Sequence, residues 1–155
     1  MEISKTPLKR SKGLQSFSRE HHQGLLLCWK IRKGFTKGVE KERIKRYADH
    51  LYKTNLLPHF KDEEKYVFRI LGNDHNLVKK ALAEHRRLIR LFENGKDTVR
   101  ALSKIEEELE AHIRFEERVL FTEIQQVATP AQLQLVEEQH QEVEACEAWD
   151  DKFWR

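Results

Sequence analysis

A ten-residue pattern that occurs twice restricts how this chain can fold. Residues 59–68 read HFKDEEKYVF and residues 112–121 read HIRFEERVLF, so in each copy a glutamate follows a histidine by four residues. On an α-helix a step of four residues advances about one turn with an offset of only ~40°, so the two side chains point the same way. A helix with such a pair can offer a nitrogen and a carboxylate to one metal ion, and two such helices can face each other around two ions. The two pairs are His59 with Glu63 and His112 with Glu116.

Composition favours a single helical domain. The chain has 155 residues, of which 35% are charged and 39% apolar, with only six Gly and three Pro. This length suits one domain, and so few turn-forming residues favour a bundle of amphipathic helices over a β fold. The sequence therefore predicts an all-α fold, with residues 1–13 as an N-terminal tail and residues 14–155 as a four-helix bundle that carries a C-terminal helix.

The sequence predicts a cytoplasmic protein that does not contact a membrane. Its longest apolar run, residues 25–29, is far shorter than the ~20 residues of a membrane span. The basic N-terminal segment is not followed by the apolar stretch of a secretory signal. Cys28 and Cys146 do not form a CxxC pair, and Cys28 lies in an apolar helix, so we expect a buried thiol rather than a disulfide framework.

The two ends of the chain carry opposite charge. Residues 1–58 hold 14 Lys and Arg against 5 Asp and Glu (net +9), and residues 101–155 hold 5 against 14 (net −9). The basic residues are scattered around the helices without interleaved exposed aromatic residues or a groove-reading motif. We therefore expect solvated helix faces whose opposite charges meet across the bundle, and no nucleic-acid partner.

Apolar residues at steps of three and four predict five helices, of which the first four form an up-down-up-down antiparallel bundle because their connections are short. Starts are predicted at Ser16 or Ser18, after Gly38, at an Asp74 cap, near Asp97 and at Thr129-Pro130, and ends at Lys33 before Gly34, at Gly72 and at Gly95. Pro58 predicts a kink or a boundary immediately before His59, because proline deletes one backbone hydrogen bond. The last helix is expected to carry His140 and Val143, and the final WDDKFWR to dock its aromatic residues on apolar surface.

A histidine interrupts the apolar face of each of the first four helices. Besides the histidines of the two repeats, these are His21 and His85, and both follow a glutamate, in Glu20-His21 and Glu84-His85. A buried glutamate would be costly unless it met a cation. The doubled pattern of a lone-histidine helix followed by an H-x-x-x-E helix therefore predicts a dinuclear site, against the alternative of a polar network without metal.

Neighbouring polar residues leave alternatives open. His22 points about 100° away from His21 on the helix and is an alternative ligand. The match between the dipeptides Glu20-His21 and Glu84-His85 favours His21. Glu64 and Glu117 follow the glutamates of the repeats by one residue and are expected to flank the site or to hold hydrogen bonds around it. The remaining histidines are assigned structural roles, with His75 at a helix start and His50 and His140 packed or on the surface.

These motifs resemble the hemerythrin-like proteins with HHE cation-binding domains. The resemblance lies in the order His, H-x-x-x-E, His, H-x-x-x-E and in the phrases EHHQGL, HFKDEE, EHRRL and HIRFEERVLF, and it spans roughly residues 14–128. It implies a hemerythrin-like four-helix bundle around a non-haem di-iron centre in which Glu63 and Glu116 bridge the irons. The terminal ligands that it implies are His21, His59, His85 and His112.

The chain departs from the oxygen-carrying hemerythrins on two helices. Those proteins have H-x-x-x-H on the third helix and H-x-x-x-x-D on the fourth, whereas this chain has Ala81 four residues before His85, and H-x-x-x-E on the fourth. At least one histidine ligand is therefore missing, which leaves coordination positions for water or a small molecule and argues against reversible oxygen carriage.

The sequence thus predicts a metal-binding protein with two iron ions that binds or senses dioxygen or a related diatomic molecule, or stores iron. Two bridging carboxylates favour iron or manganese over a single tetrahedral zinc, and both zinc and manganese stay open as alternatives. The alternative function is a di-iron redox enzyme that acts on peroxide, dioxygen or nitric oxide and needs an electron donor. Because no substrate-binding motif is visible, we favour a binding protein over an enzyme.

Overall fold

Five helical segments make up most of the residues that the computed structural model describes, which are 9–144 and 148–155. Helix α1 is Lys12–Thr36, α2 is the continuous helical stretch of residues 41–70, α3 is Asn76–Asn94, α4 is the continuous stretch of residues 98–127, and α5 is Pro130–Gln139. No strand occurs in this part of the chain. The fold is therefore all-α, as predicted, and the helices pack antiparallel as a bundle. Helix α1 packs against α2, α4 and α5, and α3 packs against α4.

Helices α2 and α4 change their hydrogen-bonding pattern along their length. The pieces of α2 are Lys41–Leu51 (α), Tyr52–Leu56 (π), Leu57–Asp62 (α), Glu63–Val67 (π) and Phe68–Ile70 (3₁₀), and those of α4 are Thr98–Phe115 (α), Glu116–Leu120 (π) and Phe121–Val127 (α). The first π turn lies directly before Pro58, and there the N–H of Leu57 donates to the carbonyl of Tyr52. The wider turn accommodates a proline, which has no N–H to donate, and the helix continues through His59 rather than ending there.

Helix α1 is longer at both ends than predicted. It begins at Lys12 after Ser11, so the predicted start at Ser16 or Ser18 is wrong, and two residues of the predicted tail are helical. Residues 1–8 of that tail lie outside the described residues. Gly34 does not end the helix. A β-carbon at Gly34 would come within 2.7 Å of Ile44 Cδ1, so this glycine is needed for close packing of α1 on α2. The chain leaves α1 at Gly38, whose φ of 68° is the left-handed conformation that favours glycine.

Three capping residues define the starts of the later helices. The cap of α3 is His75 rather than the predicted Asp74, since His75 Nδ1 accepts a hydrogen bond from the N–H of Leu77 at 3.1 Å. A role for His75 at a helix start is thereby confirmed. Asp97 caps α4 and Thr129 caps α5, which confirms the starts predicted near Asp97 and at Thr129-Pro130. The structure adds a capping box between Thr129 and Gln132. Helix α5 ends at Gln139, so the prediction that it carries His140 and Val143 is wrong, and both residues follow the helix.

Two apolar clusters fill the interior and leave a polar layer between them. One cluster contains Leu27, Ile31, Ile44, Phe60 and Ile105, and Phe153 of the C-terminal segment is 3% exposed within it. The other contains Leu14, Phe17, Phe68, Ala81, Phe121 and Val136. Trp149 and Trp154 pack against the first cluster, so the predicted docking of the C-terminal aromatic residues is confirmed. Cys28 is buried and fully enclosed, also as predicted.

Ion pairs join the basic and acidic ends of the chain. They connect Arg19 with Glu142, Arg32 with Glu110, Arg43 with Asp151 and Arg46 with Asp150. The expected meeting of opposite charges across the bundle is therefore present on its surface, where such pairs contribute little stability individually. Among the described helices, none combines the length and the apolar composition that crossing a membrane requires.

Candidate metal centre

All six side chains that the sequence predicts as ligands meet in the polar layer between the two apolar clusters. They are His21 on α1, His59 and Glu63 on α2, His85 on α3, and His112 and Glu116 on α4. None of them is more than 4% exposed. Each lies on the inward stripe of its helix because the apolar residues three and four positions away fix which face is buried. The alternative ligand, His22, is exposed and points away from the cluster.

The six side chains form two overlapping groups of four, which we call half-site A and half-site B. Half-site A consists of His21, His59, Glu63 and Glu116, and half-site B consists of His85, His112, Glu63 and Glu116. In each half-site, one ligand atom from every residue lies within 4.8 Å of the others, which is close enough for a single metal ion. Both glutamates belong to both half-sites, so the geometry allows each to bridge.

Each imidazole turns its Nε2 atom toward one of the two shared glutamates. The separations are 3.2 Å from His59 and from His85 to Glu63 Oε1, and 2.9 Å from His21 and 3.2 Å from His112 to Glu116 Oε1. Four ring nitrogens thus surround two carboxylates in a volume that water does not reach.

Most of these inward atoms have no hydrogen-bond partner, because the short separations are not in hydrogen-bonding directions. The unpartnered atoms are Nε2 of His59, His85 and His112, both carboxylate oxygens of Glu63, and Oε2 of Glu116. Leaving a buried polar group unsatisfied costs about 1–3 kcal/mol, so six such atoms around one point are poorly explained as a packed polar network. A cation in each half-site would satisfy them. The arrangement is therefore consistent with a binuclear metal site.

A second set of glutamates, which we call the outer carboxylates, binds the opposite nitrogen of each imidazole. Nδ1 lies 2.9 Å from Glu117 in His21, 2.7 Å from Glu20 in His59, 2.7 Å from Glu64 in His85 and 2.7 Å from Glu84 in His112. Because an ionised carboxylate can only accept hydrogen bonds, each Nδ1 carries the proton that it donates. Each Nε2 therefore faces the centre and can coordinate a metal ion once it gives up any proton it carries, which is how metal-binding histidines are oriented in proteins.

Sequence reasoning found two of the outer carboxylates and missed the function of the other two. Glu64 and Glu117 were expected to hold hydrogen bonds around the site, and they do. Glu20 and Glu84 entered only as parts of the repeated Glu-His dipeptide. The structure gives this repeat a reason: each glutamate reaches the H-x-x-x-E histidine of the next helix, while the histidine beside it points inward.

Both H-x-x-x-E helices widen into a π turn at the shared glutamate. The N–H of Phe68 donates to the carbonyl of Glu63, and the N–H of Phe121 donates to that of Glu116, five residues back in each case. A π turn inserts one residue into the helical register and occurs frequently at functional sites. Each π turn begins at two adjacent glutamates that both contact a histidine of another helix. Glu63 and Glu64 contact His85, and Glu116 and Glu117 contact His21. The sequence periodicity gave no signal for it.

The charges within the layer shift the pKa values of its histidines and of Glu63. Burial alone would lower the pKa of His59, but the negative charge of Glu63 outweighs it and raises that pKa to about 9. His112 beside Glu116 is affected in the same way, and its pKa also rises to about 9. Burial would raise the pKa of Glu63, yet the charge of His59 and the surrounding imidazoles hold this pKa well below its usual range. Glu63 therefore stays ionised at neutral pH, as a metal-binding carboxylate must be.

Aromatic rings enclose the polar layer. Phe60 stacks on His85 with ring centroids 4.2 Å apart, and Phe121 stacks on His21 at 5.3 Å. Phe17 meets His59 edge-on at 5.7 Å. These rings lock the imidazole orientations and lower the local dielectric, which strengthens electrostatic interactions within the layer.

His140 is joined to the layer, which the sequence did not predict. It is 8% exposed, so the expectation of a packed histidine holds, but both of its ring nitrogens meet carboxylates. Nδ1 lies 2.8 Å from Asp62 and Nε2 lies 3.0 Å from Glu20. Burial would lower the pKa of His140, but these hydrogen bonds raise it. Its position after α5, in a segment without helical periodicity, left no pattern from which to infer this contact.

The fold and site together define a helical protein with a buried histidine and glutamate cluster. Comparison of the chain with known protein families, with curated proteins and with solved structures found no match to any of them.

Proposed function

We propose that the protein holds two iron ions, one in each half-site, and binds or senses dioxygen or a related diatomic molecule. The observation that carries this proposal is the set of six buried inward atoms without hydrogen-bond partners. Each ion would take two imidazole nitrogens and share the two carboxylates. These ligands suit iron or manganese, and shared carboxylates favour a pair of ions over one tetrahedral zinc. The bound metal would supply the redox chemistry that binding a diatomic molecule requires.

The resemblance to hemerythrin-like proteins supports the same proposal. The resemblance rests on the order His, H-x-x-x-E, His, H-x-x-x-E on the first four helices, and the outer carboxylates give each histidine the support expected of a ligand. Ala81 occupies the position where oxygen carriers have a further histidine, and it is fully buried in an apolar cluster. The chain therefore offers fewer ligands than a carrier does, which favours sensing or iron storage over reversible oxygen transport.

The surroundings of the cluster favour a small, uncharged ligand. Aromatic rings stack on two of its imidazoles and the outer carboxylates hold the far sides of all four, which leaves little room. A ligand that reaches the cluster must therefore be small, and dioxygen and nitric oxide meet that condition.

Metal content after anaerobic reconstitution tests the proposal. Protein loaded with ferrous iron and freed of excess metal should retain about two ions per chain, and exposure to oxygen should produce new charge-transfer absorption. Retention of only trace metal would overturn the proposal. Repeated turnover that requires an added electron donor would instead identify the alternative, a redox enzyme that acts on peroxide, dioxygen or nitric oxide.

Two pairs of neighbouring glutamates supply a matched control. Glu63→Gln with Glu116→Gln removes both shared charges and should abolish metal retention. Glu64→Gln with Glu117→Gln removes two outer carboxylates and should weaken binding by about 10–100-fold without abolishing it. The reverse order of effects would contradict the assignment of the shared glutamates.

A further inference from the structure

The two half-sites use equivalent ligands but are covered differently. We propose that half-site A retains its ion, with His140 as a positioning residue that acts through Glu20, whereas half-site B, on the side of Glu84, exchanges its ion more readily. This inference rests on the proposed function and assigns different tasks to its two ions.

Burial separates one outer carboxylate from the other three. The side chain of Glu20, which supports half-site A, is 3% exposed. Glu84 and Glu64, which support half-site B, are 27% and 40% exposed. Glu117, the second support of half-site A, is 30% exposed, but it also accepts a hydrogen bond from the Ser18 hydroxyl at 2.9 Å. Half-site A is therefore the better covered of the two.

Glu20 is buried because the segment after α5 closes over it. Its Oε1 accepts hydrogen bonds from His59 Nδ1 at 2.7 Å and from His140 Nε2 at 3.0 Å, and its Oε2 accepts one from the N–H of Val143 at 2.8 Å. The His140 ring is itself fixed, since it stacks on Phe17 with centroids 3.8 Å apart. His59 thus rests on a carboxylate that has three donors and cannot easily turn.

The equivalent carboxylate of half-site B is held more loosely. Glu84 binds His112 and otherwise pairs with Lys80, whose side chain is 52% exposed. On this side lies the cavity of about 100 Å³, whose lining residues are Glu84, Arg87, Leu88, Glu108 and Ala111. Both carboxylates of this lining pair with exposed basic side chains, Glu84 with Lys80 and Glu108 with Arg87.

The difference between the contacts of Glu20 and those of Glu84 should change how fast each half-site releases a bound ion. A metal ion leaves when an imidazole swings away, and the partner on Nδ1 resists that movement. In half-site A, His59 moves only if Glu20 gives up its contacts with His140 and Val143. In half-site B, His112 moves with Glu84, which needs to exchange only a surface lysine for water. The ion in half-site B should therefore leave first.

Chelator challenge of the protein loaded with cobalt tests this inference. Co²⁺ serves as the probe because its visible absorption reports ligation, and excess EDTA is added to protein that holds two ions. Removal should occur in two phases of equal amplitude. His140→Ala should accelerate the slow phase about 10-fold or more and leave the fast phase unchanged. Lys80→Ala, the matched control on the other half, should accelerate only the fast phase.

Two further variants separate positioning from folding. His140→Gln keeps a donor toward Glu20 and should restore much of the slow phase. Asp62→Asn removes the charge opposite His140 at a partly exposed position, so it should accelerate the slow phase less strongly without loss of the fold, which circular dichroism checks.

The outcomes separate this inference from the proposed function. Two ions that leave in one phase, or an unchanged slow phase in both His140→Ala and Asp62→Asn, would overturn the inference while the metal site stands. A slow phase that responds to Lys80→Ala rather than to His140→Ala would also overturn the inference, because it would show that the retained ion lies in half-site B. Protein that binds no cobalt and no iron would overturn both.

Discussion

The contact between α1 and α4 at Gly24 sets how closely His21 approaches Glu116. Gly24 lies three residues after His21, and a β-carbon there would come within 2.7 Å of Ile113 Cδ1 and 3.6 Å of Leu56 Cδ2. Gly24→Ala therefore forces the end of a flexible side chain to move. The matched second change is Ile113→Val, which removes the Cδ1 atom that the new β-carbon would meet.

Opposing effects determine the magnitude for Gly24→Ala. Overpacking costs about 1–3 kcal/mol, and replacing glycine inside a helix gains about 1 kcal/mol, so the net loss should be about 0–2 kcal/mol. Ile113→Val alone should cost about 1 kcal/mol through lost burial. In the double variant the clash is absent and the helix gain remains, so stability should return to about that of the unsubstituted protein. The coupling energy is then about 1–3 kcal/mol, at the level expected for residues in contact.

Urea unfolding of the four proteins without metal measures this cycle. The slope of the free energy with urea should stay constant, so that midpoints compare directly. If the stability losses of the two single variants sum to that of the double variant within about 0.5 kcal/mol, the two sites are independent and the reasoning is refuted. Cobalt absorption supplies a second readout, since Gly24→Ala should perturb half-site A, where His21 Nε2 lies 2.9 Å from Glu116, and the double variant should restore it.

Three further predictions concern parts of the bundle away from the ligands. Thr129→Ala removes the cap of α5 and should cost about 1 kcal/mol, seen as faster hydrogen exchange in α5. Gly13→Ala would place a β-carbon 2.3 Å from the carbonyl oxygen of Leu133, so it should displace α5 and cost about 1–3 kcal/mol in urea unfolding. Burial raises the pKa of Cys28 to about 12, so above about pH 9 the unfolded chain loses this proton while the native protein keeps it. Stability should therefore fall with rising pH between about 9 and 12, by up to about 1.4 kcal/mol per pH unit, and Cys28→Ala should lack this part of the slope.

The sequence predicted the inward residues well because helical spacing fixes direction. His59 and Glu63 could be placed on one stripe from their separation alone, and the apolar neighbours identified the buried face. His21 was preferred to His22 because the dipeptide Glu20-His21 recurs as Glu84-His85, and the cluster contains His21. The existence and order of the helices followed from the same periodicity.

Helix ends and backbone irregularities could not be inferred in this way. Gly34 was interpreted as a stop, yet it permits close approach to Ile44, a contact from another helix that local sequence does not encode. The π turn that starts at Glu63 changes the register within a helix whose residue pattern remains regular. The same limit applies to Glu20, because its partner His140 is 120 residues away along the chain.

The repeated hairpin and the unrepeated C-terminal segment together explain why similar ligands need not behave alike. The doubled motif supplies each half with two histidines and places Glu63 and Glu116 between them, so the repeat by itself would make two equivalent half-sites. The segment from α5 to Val143 exists once and can cover only one of them. It covers the half of His59, where it joins Glu20 to His140 and to a backbone N–H. Since a ligand's mobility depends on what holds its far side, we expect this segment, which contributes no inward ligand, to decide which half is rigid and which can open.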